Sequence, residues 1–306
     1  MNAQDLKSLS KELTYCREIK LNSKVADILS KRFGEDFIKQ SAKQAKNLSF
    51  YQIRYKSRDK EIYGFLIQPK KITGNIPAII FNRGGSGEFG SIKSGQIFGQ
   101  LATMASWGYV VVASQYTDSL DSYELDEFGG SDIDDVLNLR KIIKQLPHTD
   151  ENRIGMVGGS RGGMMTYLSL SKVKWVRAAV CIAGLSDLFN NQKNRPEMKP
   201  HYKKLFGGKK EDLKSRSAIY WVDKFHKKSP LLLLHGSADW RVDVTDSLLL
   251  AERLYLYNLP YKLVVYPGAD HVLSEYREES MIEIKNWLQK YVTDLSPMPN
   301  LKKHGR

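Results

Sequence analysis

Apolar residues recur along the chain with two different periods, and the change from one to the other divides it. Residues 1–50 carry Leu6, Leu9 and Leu13, then Val25, Ile28 and Leu29, at spacings that gather on one side of a helix. This stretch reads as a small helical appendage. From Tyr51 the period becomes two: YQIRYKSRDKEIYGFLIQPK alternates, turns near Ser57–Lys60 and alternates again, as an antiparallel hairpin does. Pro69 and Pro77 frame a loop, and the strand AIIF follows.

Beyond AIIF, strands and helices take turns. Ile97, Leu101, Met104 and Ala105 form a helical stripe that ends at Gly108, a good residue just past a helix C-terminus. YVVVAS is a continuous apolar run, the pattern of a strand buried on both faces. A helix over Asp132–Gln145 comes next, then a strand and helix around Ser160, the strands RAAVCIA and LLLLHG, a helix from Val244 to Asn258, the strand YKLVVY and a helix from Glu275 to Tyr291. Such alternation predicts an α/β fold, a mostly parallel eight-stranded sheet with helices on both faces. The expected organisation is an appendage over 1–50, a main domain over 51–295 and a tail over 296–306. Within the main domain, residues 186–229 interrupt the alternation. An insertion there would overhang the C-terminal ends of the strands, where α/β folds bind ligands.

Composition narrows the classes. In 306 residues, 42% are hydrophobic, enough for a sizeable core, and no stretch approaches the roughly 18 apolar residues of a membrane span. The opening MNAQDLKSLSKELTYCREIK has no apolar run of the secretory kind, so a cytoplasmic location is expected. Cys16 and Cys181 make no disulfide framework, and the cysteines and histidines show no metal-ligand spacing, so neither metal nor cofactor is expected. A net charge of +13 raises the question of nucleic acid. The excess is uneven, with twelve basic against five acidic residues between Ser186 and Ser229. No zinc finger, RNA-binding signature or long basic helix accompanies it. Solvated surface, or steering of an acidic ligand, accounts for it without a nucleic-acid partner.

The chemistry begins at RIGMVGGSRGGMMTYLSL, Arg153–Leu170. One serine-capped turn would use one or two glycines, and this stretch has Gly158, Gly159, Gly162 and Gly163 around Ser160. Gly158-Gly159-Ser160-Arg161-Gly162 matches the nucleophile elbow, Gly-x-Ser-x-Gly, in which a strained serine stands at a strand-to-helix turn. The apolar run before it and the apolar face after it supply that context.

A serine hydroxyl needs a base, and the base needs an acid to hold its tautomer. With an elbow of this kind the order is Ser, Asp, His, each after a separate strand. Asp239 follows LLLLHG and His271 follows YKLVVY, each in the expected loop. Asp243 and Asp246 read as cap and first turn of the next helix, Asp270 as a loop residue and His235 as a packed structural histidine. The oxyanion of acyl transfer needs fixed N–H donors. One is expected from Arg161, directly after the serine, the other from Gly84 or Gly85 in NRGGSGEFG, a loop that lacks the Gly-Lys-Ser/Thr of a phosphate-binding turn.

RGGSGEFG, GYVVVASQY, FGGSDIDDVLNL, NRIGMVGGSRGG, SPLLLLHGSADWRV and VVYPGADH together resemble the catalytic domain of the prolyl oligopeptidase family of serine peptidases, over roughly Tyr51–Tyr291. The resemblance implies an α/β-hydrolase fold with Ser160 as nucleophile, Asp239 as acid and His271 as base. Family peptidases commonly carry a β-propeller that filters substrates and, in dipeptidyl peptidases, grips the substrate's amino terminus. With about fifty residues ahead of the hydrolase sheet, neither role carries over. Where some members use a tyrosine as second oxyanion donor this chain has Arg83, so a backbone N–H near Gly84 or Gly85 takes that part. The expected activity is hydrolysis of an amide, peptide or ester bond in a short peptide or small-molecule ester. A carboxylesterase or thioesterase is the alternative, and a non-catalytic binding protein of the same fold is a further one. Arg83, Tyr123, Phe128, Phe189 and Trp221 are the pocket candidates, although such aromatics equally suit packing of the insertion onto the sheet.

Overall fold

The computed structural model describes residues 3–117 and 126–305. Strand β1 (Leu13–Glu18) pairs antiparallel with β2 (Leu48–Ser57), and β2 with β3 (Lys60–Pro69) across the expected hairpin. β3 runs antiparallel to β5 (Val110–Ser114), and from there every pairing is parallel. The parallel part also contains β4 (Ile76–Asn82), β6 (Thr149–Gly159), β7 (Val176–Ile182), β8 (Leu231–Gly236) and β9 (Tyr261–Tyr266). The order is β1-β2-β3-β5-β4-β6-β7-β8-β9.

Nine strands are therefore present among the described residues where the sequence predicts eight. The ninth is β1, inside the stretch read as wholly helical. Leu6 lies in α1 (Ala3–Leu9) and is buried, but Leu13 opens a strand that extends the sheet beyond β2. The first fifty residues also supply α2 (Ser23–Phe33) and α3 (Glu35–Asn47). Asn22 starts α2 by accepting from Val25 N at 2.9 Å, filling one of the donors that a helix start leaves open.

Continuous apolar strands give side chains to both faces, and each face has its own core. Ile80, Val110, Val112, Met156 and Leu233 pack on one side with α6 (Ile133–Leu137), α7 (Leu139–Gln145), α8 (Arg161–Lys172) and α12 (Thr245–Leu256). Ile79, Val111, Val157, Val180 and Leu232 pack on the other with α2, α5 (Ala102–Ser106) and α13 (Arg277–Leu288). The short α4 (Ser94–Gln96) leads through a wide turn, Ile97–Leu101, into α5. The helix expected over Asp132–Gln145 is broken at Asn138 into α6 and α7.

Residues 186–229 form α9 (Leu188–Asn194), α10 (Met198–Phe206), α11 (Lys210–Ser215) and two short 3₁₀ turns. They are fastened over the ends of the parallel strands. Asp246 of α12 accepts from Ser186 N at 2.8 Å and Asp187 N at 3.0 Å, Arg216 donates to the carbonyls of Phe128 and Glu127, and His201 meets Ser86 Oγ at 3.0 Å. Among the described residues no helix is long and apolar enough to cross a membrane.

Candidate active site

Ser160 stands between the end of β6 and the start of α8, with φ 57° and ψ −122°. That conformation is costly for a residue with a side chain and survives only where the surroundings hold it. Backbone bonds to both of its peptide groups do so. Ser160 N donates to Ile182 O at 2.9 Å, and Ser160 O accepts from Gly163 N at 2.9 Å and Leu185 N at 3.2 Å. The flanking glycines are required by contact. A Cβ on Gly162 would lie 2.0 Å from Asn82 O, and one on Gly158 would lie 2.1 Å from Gly162 O. The crossing of β4, β6 and α8 is thus too close for any side chain, so the turn has the close backbone contacts of a nucleophile elbow.

The Asp and His candidates converge. His271 Nδ1 lies 2.7 Å from Asp239 Oδ2, while Asp239 Oδ1 accepts from Arg241 N at 2.8 Å and Val242 N at 3.1 Å. Burial works to raise the Asp239 carboxyl. Hydrogen bonds from His235 and His271, the His271 charge and the Val242 N–H outweigh it and hold the group well below the usual carboxylate range. His235 is fully buried as expected of a structural residue: Ser247 Oγ sits 2.7 Å from Nδ1 and Val242 O sits 2.9 Å from Nε2. A carbonyl only accepts, so Nε2 carries the proton, and it also faces Asp239 Oδ2 at 3.2 Å. His235 therefore buttresses the acid at the same oxygen that His271 meets, a role its isolated position in the sequence did not signal. Among the described residues, the hydrogen bond made by the His271 ring is the one to Asp239.

The competing carboxylates are engaged elsewhere. Asp243 Oδ1 accepts from Thr245 N at 2.9 Å and Asp270 Oδ1 from Val272 N and Ser274 N, each at 2.9 Å. Asp246 lies in the first turn of α12, as read from the sequence, and is buried there. Burial pushes its carboxyl up to about 6, against the hydrogen bonds from Asn190, Ser186 N and Asp187 N that favour the anion.

The loop after β4 reaches the elbow. A Cβ on Gly84 would meet Gly159 O at 3.2 Å and Ser160 Cβ at 3.5 Å, so the Gly84 backbone lies against the nucleophile turn. Gly85 has φ +66° and touches the Phe89 carbonyl, closing the loop upon itself. Arg161 is the first residue of α8, where an N–H has no acceptor within its own helix.

Most pocket candidates turn inward. Arg83 is fully buried, its Nε donating to Gln115 O at 2.9 Å and Nη1 to Gly84 O at 3.1 Å; it braces the loop and does not line an opening. Phe128 is buried against Tyr202 and Phe206, Trp221 donates to Lys214 O and packs on Phe225, and Phe189 meets Tyr220 edge-on. These rings build the insertion and seat it on the sheet. Tyr123 lies outside the described residues. The exposed aromatics near the Asp239 loop are Phe89 and Trp240, with the Arg241 guanidinium over both rings. Neither was singled out in the sequence, because lone exposed rings carry no periodic signal.

A sheet of this order, with a strained serine after one strand and an Asp–His pair after two others, defines an α/β-hydrolase. The sequence profile of the prolyl oligopeptidase family matches residues 96–294, and the chain belongs to that family of peptidase-type hydrolases. An uncharacterized peptidase of Bacillus subtilis, YtmA, is 27% identical over 251 residues, covering 80% of this chain and 95% of the relative. The mouse acylamino-acid-releasing enzyme is 25% identical over 244 residues, covering 72% of this chain but 32% of the relative. Among solved structures, the acylaminoacyl peptidase of Pyrococcus horikoshii superposes with a TM-score of 0.74 at 22% identity, over 88% of this chain and 46% of its own. A puromycin-hydrolyzing peptidase of Mycobacterium tuberculosis gives 0.68 at 20% identity, over 76% and 38%. The chain spans nearly all of YtmA and less than half of these other relatives.

Proposed function

We propose that the chain is a serine hydrolase that cleaves an amide or ester bond through an acyl-enzyme on Ser160. The observation that carries the reading is the 2.7 Å contact of His271 Nδ1 with a buried, ionised Asp239, in the same fold as a serine held at φ 57°. A proton fixed on Nδ1 leaves the Nε2 lone pair to accept the Ser160 proton as Oγ attacks the carbonyl carbon. The N–H groups of Arg161 and of Gly84 or Gly85 stabilise the resulting oxyanion. The imidazolium then donates its proton to the leaving amine or alcohol, and water repeats the sequence to release the acid.

The acylaminoacyl peptidases among the relatives make N-acylated aminoacyl compounds the first substrates to try. Short-chain activated esters should be cleaved readily and aryl-amides of small peptides more slowly, with no strict demand for proline. Two free thiols, Cys16 and Cys181, suit a reducing compartment. The test compares an N-acyl-aminoacyl ester, the matching anilide and a prolyl anilide with wild type and Ser160→Ala. Strong proline selectivity with negligible ester cleavage, or turnover that survives Ser160→Ala, would overturn this reading.

A further inference from the structure

The residue after the nucleophile is expected to contribute a backbone N–H, yet here it also carries a large cationic side chain that is about as buried as any in the protein. The Arg161 guanidinium grips Asp126 with both arms, Nη1 to Oδ2 at 2.7 Å and Nη2 to Oδ1 at 2.5 Å. Nη2 also meets Asp132 Oδ2 at 2.7 Å, and Nη1 donates to Gly85 O at 2.8 Å. The rings of Tyr116 and Phe128 lie over it, with centroids at 4.9 and 4.8 Å. Its partners are tied down in turn. Asp126 accepts from Gly87 N at 3.1 Å and Phe128 N at 2.8 Å, Asp132 accepts from Gly129 N at 3.0 Å, and Tyr116 Oη donates to Arg83 O at 3.0 Å.

One guanidinium therefore fastens three segments: the start of α8, the loop at Gly84–Gly87 and the stretch 126–132. The two segments offered as oxyanion donors are the first two of these. The β4–β6 ladder runs only to Asn82 opposite Gly158, so the Gly84–Gly87 loop beyond it is set by contacts such as this one. A buried ion pair is a poor source of net stability but holds a geometry firmly, since leaving one partner uncompensated costs several kcal/mol.

We propose that the Arg161 side chain is a positioning residue of the oxyanion hole, locking the 84–87 loop to the nucleophile turn so that two backbone donors converge on one oxygen. The inference rests on the hydrolase reading above and adds what sets the hole. It separates into two effects: the guanidinium does not touch substrate, and its loss slackens the donors without removing them.

The test uses Arg161→Lys, which keeps the charge without the two-armed grip, and Asp126→Asn, which keeps the shape without the charge. Each is assayed on a matched pair of substrates, an N-acyl-aminoacyl ester and its thiono analogue, in which sulfur replaces the carbonyl oxygen. A hole tight around oxygen discriminates against the larger sulfur, a weak hydrogen-bond acceptor. The expected result is a fall in kcat on the oxygen ester of about 10–100-fold, less than loss of a whole donor, with KM within about 3-fold. The oxygen-to-sulfur preference should shrink by at least about 5-fold in either variant. Reduced folded fraction would lower both substrates together and leave that ratio alone, so an unchanged ratio in whichever variant folds overturns the proposal. A wild type that turns over neither ester overturns the hydrolase reading, and this one with it; an active wild type whose variants keep the ratio overturns this one only.

Discussion

Asp239→Asn removes one charge and leaves almost every atom in place, so its effect can be worked out contact by contact. In the native site Oδ1 accepts from the N–H groups of Arg241 and Val242. Those two donors force an asparagine to keep its oxygen there and turn its NH₂ toward His271 and His235. His271 Nδ1, 2.7 Å away, must then accept, and its proton moves to Nε2, where the base should be empty. At His235 the new amide meets an N–H already committed to Val242 O, donor against donor. The wrong tautomer of a triad histidine lowers turnover by up to about 10⁴, or about 5.5 kcal/mol of barrier at 1.36 kcal/mol per tenfold. Loss of hydrogen bonds to a charged group costs a further ~1.5–3 kcal/mol each in stability, so the melting temperature should fall while the fold persists. The assay is kcat/KM on an activated ester, normalised to folded protein by circular dichroism. Turnover within about tenfold of wild type would refute the reasoning, and would do so most sharply if Asp243→Asn, which only uncaps a turn at Thr245, were the damaging change.

Gly162→Ala places a methyl 2.0 Å from Asn82 O, where only backbone can yield; it should destabilise by about 1–3 kcal/mol or more and lower kcat by disturbing the neighbouring Arg161 N–H, read by thermal melting and by ester turnover. Asp246 holds its proton up to about 6 in the fold against 3.8 when free, so the unfolded chain releases that proton first and the group costs stability as pH rises through this window. Asp246→Asn, with the Asn190 amide turned over to accept, removes that cost, and the variant should gain about 2 kcal/mol on wild type between pH 4.5 and 7 in urea titrations. A difference that is flat with pH would remove the buried-acid account. Arg195, Lys204 and Arg161 all bear on His201, which sits on Ser86 in the glycine loop, where burial holds its imidazole below the usual histidine range even though Asp126 opposes it. Substrates carrying a carboxylate should therefore show a kcat/KM that falls with added salt while neutral ones do not; equal dependence would return Arg195 and Lys204 to the role of solvated surface.

The elbow was legible because it is local: four glycines, an apolar strand before and an apolar helix after all sit within Arg153–Leu170. Asp239 and His271 were legible for the same reason, each one turn beyond a strand that is apolar enough to be read. β1 was missed because Leu6, Leu9 and Leu13 fit a helical spacing equally well, and what makes Leu13–Glu18 a strand is the open edge of β2, not its own pattern. Between lining a pocket and packing the insertion, the sequence left Phe128 and Trp221 open for a related reason: both are large and aromatic, and in the fold that size fills the space under the insertion. The carboxylates that hold Arg161 were invisible from the sequence. Asp126 and Asp132 lie 35 and 29 residues upstream in irregular chain, where no period links a charge to its partner.

The central claim is that Ser160 becomes acylated, and covalent capture tests it without assuming a substrate. The folded chain is treated with a fluorophosphonate, its intact mass is recorded, and the adduct is located by peptide mapping. A single adduct on Ser160, absent from Ser160→Ala and greatly slowed in Asp239→Asn, is the predicted result. A native protein that takes up no probe, or one labelled at another residue with Ser160 unmodified, would contradict the account.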